Sequence, residues 1–216
     1  MRTRILAAVM LVGWWAAPAA FEPDVDLTGI DEALAIARAS LGPERARFHE
    51  GYRLIVQQAP ADWIEIVTPF RRVVLAAQAS AARGERGFGQ RQALDTLAAA
   101  PGRMDVHVEL TFHPLNTYIG VPDYDVRLLG LGRAQHVHPL SVDRLSRWTP
   151  RIDGLPPALP AGGGNVSPPR GQALVGGTLV ARFDARSLDA TGAYEVAVMD
   201  GETVMARARV DLGRLR

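Results

Sequence analysis

Near residue 104 the spacing of apolar side chains changes from about 3.6 residues to 2, and this constrains the fold more than any other feature. In "DVHVELTFH" (105–113) Val106, Val108, Leu110 and Phe112 point one way, while His107, Glu109, Thr111 and His113 point the other. Such alternation makes a strand with one face in a core and the other toward solvent. "YDVRLL" (124–129) and "GTLVARF" (177–183) alternate likewise. Tyr194, Val196 and Val198 share a face of the next predicted strand, and Val204, Ala206, Ala208, Val210 and Leu212 share a face of the last. "DG" (200–201) marks the hairpin between these two. A two-residue loop there would set Ala197 against Val204 and mismatch the apolar sets. A three-residue loop, 200–202, is therefore expected, because burial outweighs the turn preference.

Upstream the period is helical. "TGIDEALAIARASLG" (28–42) puts Ile30, Leu34, Ala37 and Leu41 on one face, with Asp26 or Thr28 as cap and Gly42-Pro43 as stop. "TPFRRVVLAAQASAARG" (68–84) is the clearest helix: Thr68 caps, Pro69 suits the first position, and Phe70, Val73, Val74, Ala77 and Ala81 form a stripe. "GQRQALDTLAAAPG" (89–102) repeats the pattern more weakly. "PERARFHEG" (43–51) predicts at most a short helical turn, and "YRLIVQQ" (52–58) and "WIEIV" (63–67) predict short strands.

The predicted fold class is α+β, a helical N-terminal portion followed by an antiparallel β-sandwich. Three regions are expected: a signal peptide over 1–20, a mainly helical region over 21–103, and the sandwich over 104–216. The stretch 150–171, rich in Pro and Gly, reads as a long loop. Too few residues follow it for an independent domain, so the later strands should complete a sheet begun at 104.

Residues 1–20 read as a processing signal. Arg2 and Arg4 precede an apolar run from Ile5 to Trp15, shorter than the roughly 20 residues a membrane span requires, and "AAPAA" (16–20) offers small residues for cleavage near Ala20. The alternative is an uncleaved anchor. Export to the periplasm or exterior is expected, with no membrane span after cleavage. The chain has no Cys, so its stability must come from burial rather than disulfides. All 24 basic residues are Arg. Without Lys there is no Schiff-base, P-loop or Ser–Lys chemistry. Arginines are scattered and nearly balanced by 23 acidic residues, which gives no support to a nucleic-acid partner.

"LDATGAYEVAV" (188–198) resembles the tyrosine-corner region of immunoglobulin-like sandwiches, where Asp-x-Gly-x-Tyr enters the penultimate strand. Asp189 or Thr191, Gly192 and Tyr194 stand in comparable places, with one extra residue between Asp and Gly. The resemblance implies that the tyrosine hydroxyl bonds nearby backbone at the corner between sheets. It also implies that 177–184, 193–199 and 203–212 are the last three strands, with earlier ones near 105–113, 124–130 and 135–142. The Cys and Trp hallmarks of antibody domains are missing. An immunoglobulin-like architecture carries no particular function.

Several constellations bear on chemistry. His136 and His138 project to one side of a strand, as do His107 and Glu109, and imidazoles converging from neighbouring elements suit zinc or copper. His113 lies about 20 Å along the strand from His107, too far to share an ion on a straight strand. A polar outer sheet face explains these residues more simply, and the outward face of 107–109 is expected not to meet "HVH" (136–138). "DVDLTG" (24–29) resembles the start of a calcium loop, but its closing position holds Ala35, so capping is the simpler reading. No Gly-x-Ser-x-Gly is present. The connection 111–126 carries Asn116, Tyr118, Ile119 and Tyr124, which could stack on a sugar or grip a partner, or else fold back over the core. The leading expectation is a secreted or periplasmic, non-enzymatic module that binds an envelope protein or a surface glycan. The alternative is a metal-binding protein or metalloenzyme using His107, Glu109, His136 and His138.

Overall fold

The computed structural model describes residues 21–39, 43–85, 87–113, 115–132, 136–150 and 172–216. The predicted signal and residues 151–171 of the Pro/Gly-rich loop lie outside that set. In chain order the elements are α1 (Leu27–Arg38), α2 (Pro43–Glu50), β1 (Arg53–Gln58), β2 (Ala61–Val67), α3 (Pro69–Ala82) and α4 (Gln90–Ala98). They are followed by β3 (Arg103–Thr111), β4 (Asp125–Gly130), β5 (His136–Val137), β6 (Ser141–Pro150), β7 (Gln172–Asp184), β8 (Ala193–Asp200) and β9 (Thr203–Asp211). The chain is thus α+β, with two antiparallel sheets: five strands in the order β1-β2-β3-β7-β6, and four in the order β5-β4-β8-β9.

The alternating residues form the core between the sheets. Val106, Val108 and Leu110 of β3, Leu179, Ala181 and Phe183 of β7, and Val126, Val196 and Val198 of the opposite sheet are all fully buried. A second cluster joins the helices: Ile30, Ala33 and Leu34 of α1 meet Phe70, Val73, Val74 and Ala77 of α3 and Ala93 of α4. Phe48 of α2 touches both clusters, with its ring 5.0 Å from Tyr52 and 6.2 Å from Phe70. The helix caps follow the sequence signals. Asp26 accepts from the Gly29 N–H at 2.7 Å, and Thr68 accepts from the Arg71 N–H at 3.1 Å.

Four segments depart from the expectations. The segment 43–50 is an eight-residue helix rather than a turn, held by the Phe48 contacts, which no periodicity in "PERARFHE" announces. β1 and β2, inside the stretch 21–103, pair onto β3 and extend the five-stranded sheet. The strand expected over 135–142 is instead the two-residue β5 and, after a break, β6, which runs to Pro150. Its apolar alternation is hidden because Arg144, opposite the buried Leu179, takes an inward position at the edge. In the last hairpin Asp200 pairs with Thr203, giving a two-residue turn with Gly201 at φ +58°. A bulge between Val198 and Met199 then moves the register by one, setting Val198 against Ala206, Val196 against Ala208 and Tyr194 against Val210. Tyr194, Val196 and Val198 thus share the inner face with Ala206, Ala208 and Val210 as expected, whereas Val204, expected in the same set, pairs with Met199 beyond the bulge and lies outside the core. A bulge achieves this, not a longer loop.

Candidate functional site

β2 explains how one polar cleft arises. In "ADWIEIV" Ile64 and Ile66 enter the core, so Trp63 and Glu65 must lie on the outer face of the five-stranded sheet. Cross-strand pairing puts Arg53 of β1 beside Glu65 and Ile55 beside Trp63. Thr68-Pro69 then ends the strand and starts α3, so Arg71 sits in the first helical turn. A positive charge there is opposed by the helix dipole and needs a partner. It has two: Arg71 forms an ion pair with Glu65 and donates to the Ile66 carbonyl at 2.6 Å. Its side chain is 2% exposed, and its guanidinium lies 4.8 Å from the centre of the Tyr52 ring.

Around this buried pair, α2, α3 and the β1–β2 hairpin leave a cleft of ≈ 400 Å³ lined by Arg45, Ala46, His49, Glu50, Arg53, Glu65, Arg71, Leu75 and Gln78. His49 Nε2 and Gln78 Nε2 are 3.2 Å apart. Burial holds the His49 imidazole below its ordinary pKa of 6.5, and the charges of Arg71 and Arg45 push the same way. Arg53 lies over the Trp63 ring at 4.3 Å. Arg45, Arg53 and Glu50 line the cleft without an ion-pair partner among the described residues. The arrangement offers planar, multidentate polar groups to a ligand rich in hydroxyl and carboxylate oxygens.

The sequence-predicted metal residues are divided between the sheets. His107 and Glu109 lie on the outer face of β3, whereas His136 is in β5, at the edge of the four-stranded sheet, with His138 just beyond it. Among the described residues no group of three or more His, Asp or Glu side chains can hold a metal ion. Glu109 is instead held by Arg147 and by the Thr178 hydroxyl at 2.8 Å. Burial lowers the His107 pKa below 6.5, partly offset by the carboxylates of Asp105 and Glu65. His113 Nδ1 accepts from the Leu115 N–H at 3.1 Å.

The connection after β3 leads to β4 in the other sheet. Asn116 pins it, donating to the carbonyls of His113 at 2.7 Å and Leu174 at 2.8 Å, and accepting from the Tyr118 N–H. Tyr124 is a core residue, 3% exposed. Ile119 is half-buried. Tyr118 is exposed, and its ring meets Phe112 edge-on at 5.1 Å. Asp24, in the segment resembling a calcium loop, pairs with Arg186 at 2.7 Å.

Sequence reasoning missed the cleft. Its residues are spread over α2, β1, β2 and α3, and no spacing joins them. The one available signal was Arg71 in a first helical turn six residues after Glu65. Compared with family models, curated proteins and solved structures, the chain matches none of them.

Proposed function

We propose that the protein is an exported, non-enzymatic binding module with an immunoglobulin-like sandwich, and that its cleft takes a surface glycan bearing carboxylate groups. The export half of this reading rests on residues 1–20, with their basic start, short apolar run and small-residue end. Strand order supports the architecture. In constant-type immunoglobulin domains the first, second, fifth and fourth strands share one sheet, and the third, sixth and seventh share the other. β2, β3, β7 and β6 stand in the first set of places, and β4, β8 and β9 in the second; β1 and β5 are additions. At the start of β8 the Tyr194 hydroxyl accepts from the Asp189 N–H at 2.8 Å, the contact that a tyrosine corner requires.

The observation that carries the functional reading is the polar lining of the cleft. Arg45 and Arg53, which have no ion-pair partner among the described residues, suit carboxylates, while Gln78 and Glu50 suit hydroxyls. The two groups best suited to proton transfer are already engaged, Glu65 by Arg71 and His49 by Gln78, which favours binding over catalysis. Calorimetric titration with uronic-acid-containing and neutral oligosaccharides tests the proposal. Binding should prefer the acidic sugars. Arg45→Ala and Arg53→Ala should each weaken it about tenfold, the loss expected for a charged hydrogen bond, with the melting temperature unchanged. Equal affinity for neutral sugars, no binding at all, or insensitivity to both substitutions would overturn it.

A further inference from the structure

The five-stranded sheet ends at β6, and among the described residues no strand pairs with its outer edge. A ten-residue edge strand exposes unpaired backbone donors and acceptors and invites another strand. Two features usually guard such an edge. An inward-pointing charge is one, but Arg144 is bonded to the Tyr124 carbonyl at 2.8 Å and paired with Asp123, so it closes the mouth between the two sheets. A bulge is the other. The register shift between Arg147 and Trp148 places its extra residue, Val175, on β7, so β6 stays regular.

From this edge we infer that the protein forms a two-fold symmetric dimer, through antiparallel pairing of β6 with β6 of a second copy, centred on Leu145. The pattern of "SVDRLSRWTP" selects both the partner and the register. Leu145 faces outward opposite Thr178 and is 58% exposed, a large apolar side chain on an otherwise charged face. Centred there, Leu145 meets Leu145 of the second copy, and Asp143 faces Arg147 twice over. Ser141 meets Thr149 on the same outer face. On the inner face Val142 meets Trp148, each already packed against its own core. Neighbouring registers lose this match. Centring on 143 or 147 opposes like charges, centring on 144 sets Arg144 against itself, and centring on 146 faces Leu145 with Arg147. Only an isologous contact lets one strand serve as its own complement. Within each copy Asp143 is paired with Arg182 and Arg147 with Glu109, so the contact would join two existing ion pairs into one network.

Sedimentation and charge-complementation experiments on the full chain test this. The wild type should be dimeric, with a concentration-dependent return to monomer on dilution. Asp143→Arg and Arg147→Asp each place like charges opposite one another at two points, and each should weaken self-association about tenfold. Mixed together, the two variants are complementary and should form a heterodimer, an outcome that loss of folding could not imitate. Because the chain has no Cys, Leu145→Cys adds a single thiol. Directly opposed residues have Cβ atoms about 4.5–5.5 Å apart, close to disulfide reach, so this variant should oxidise to a covalent dimer while Leu140→Cys, off the axis, should not. A monomer at all concentrations up to millimolar overturns the proposal. So does a dimer that persists in both charge variants, or one that cross-links equally well through 140.

Discussion

Tyr194 shows how far a single residue can be read. Its spacing from Asp189 and Gly192 suggested a corner tyrosine, and the hydroxyl does accept from the Asp189 N–H while the ring is 2% exposed. Tyr194→Phe should cost about 1 kcal/mol, the net worth of one hydrogen bond, measurable by chemical denaturation. Gly176 illustrates the opposite case. Nothing in "LVGGTLV" explains a glycine in mid-strand, yet Arg147 crosses β7 there to reach the Leu110 carbonyl at 3.1 Å and the Glu109 carboxylate. A Cβ on Gly176 would overlap both the Leu110 oxygen and the Arg147 guanidinium. Gly176→Ala should therefore destabilise by about 1–3 kcal/mol, the usual range for overpacking. The requirement comes from a backbone carbonyl 66 positions earlier and a side chain 29 positions earlier, so no local pattern announces it.

Among the elements, those with a strong period were legible. α1, α3, α4, β3, β7, β8 and β9 lie where their apolar spacing places them, because each buries one face against a large core. β6 and α2 were not, since an edge strand and a short docking helix bury too little to show a period. The element packing also sets a pH response. His107 on β3 faces Glu65 on β2, with Asp105 on its own strand and Arg71 and Arg72 contributed by α3. His49 on α2 faces Arg71 and Gln78 on α3, Arg45 on its own helix and Glu65 on β2. Both imidazoles titrate below 6.5 when folded, so the unfolded chain binds more protons as pH falls past that value. Their contribution to stability is complete above pH 6.5 and is lost below it, before most carboxylates protonate. Denaturation midpoints should fall as pH drops below 6.5, and His49→Gln with His107→Gln should flatten that slope. A slope unchanged in the double variant would assign the response to other groups.

At the scale of the molecule, the helical core is tied to the sheet by the buried Arg71–Glu65 and Arg72–Asp105 pairs as well as by packing. Phe48 bridges the two cores, and the Arg216 carbonyl accepts from both Tyr52, in the sheet core, at 2.7 Å and Thr68, at the head of α3, at 2.6 Å. The Arg216 guanidinium lies 4.9 Å from the Phe70 ring of the helical cluster. Phe48→Ala should cost about 2 kcal/mol, and hydrogen exchange should show α1, α3 and α4 opening before β3 and β7. Coincident exchange of both groups would mean that the two cores unfold as one unit. The sequence by itself determined the α+β class, most helices and strands, their caps and which side of each faces inward, because these depend on period and on residues within a turn of one another. Only the tertiary structure decided that β1 and β2 join the sheet begun by β3, that His107 and His136 stand on different sheets, and that Arg45, His49, Arg53, Glu65, Arg71 and Gln78 share one cleft. Those outcomes depend on pairings between distant segments, where burial of the whole core, not the preference of any stretch, selects the arrangement.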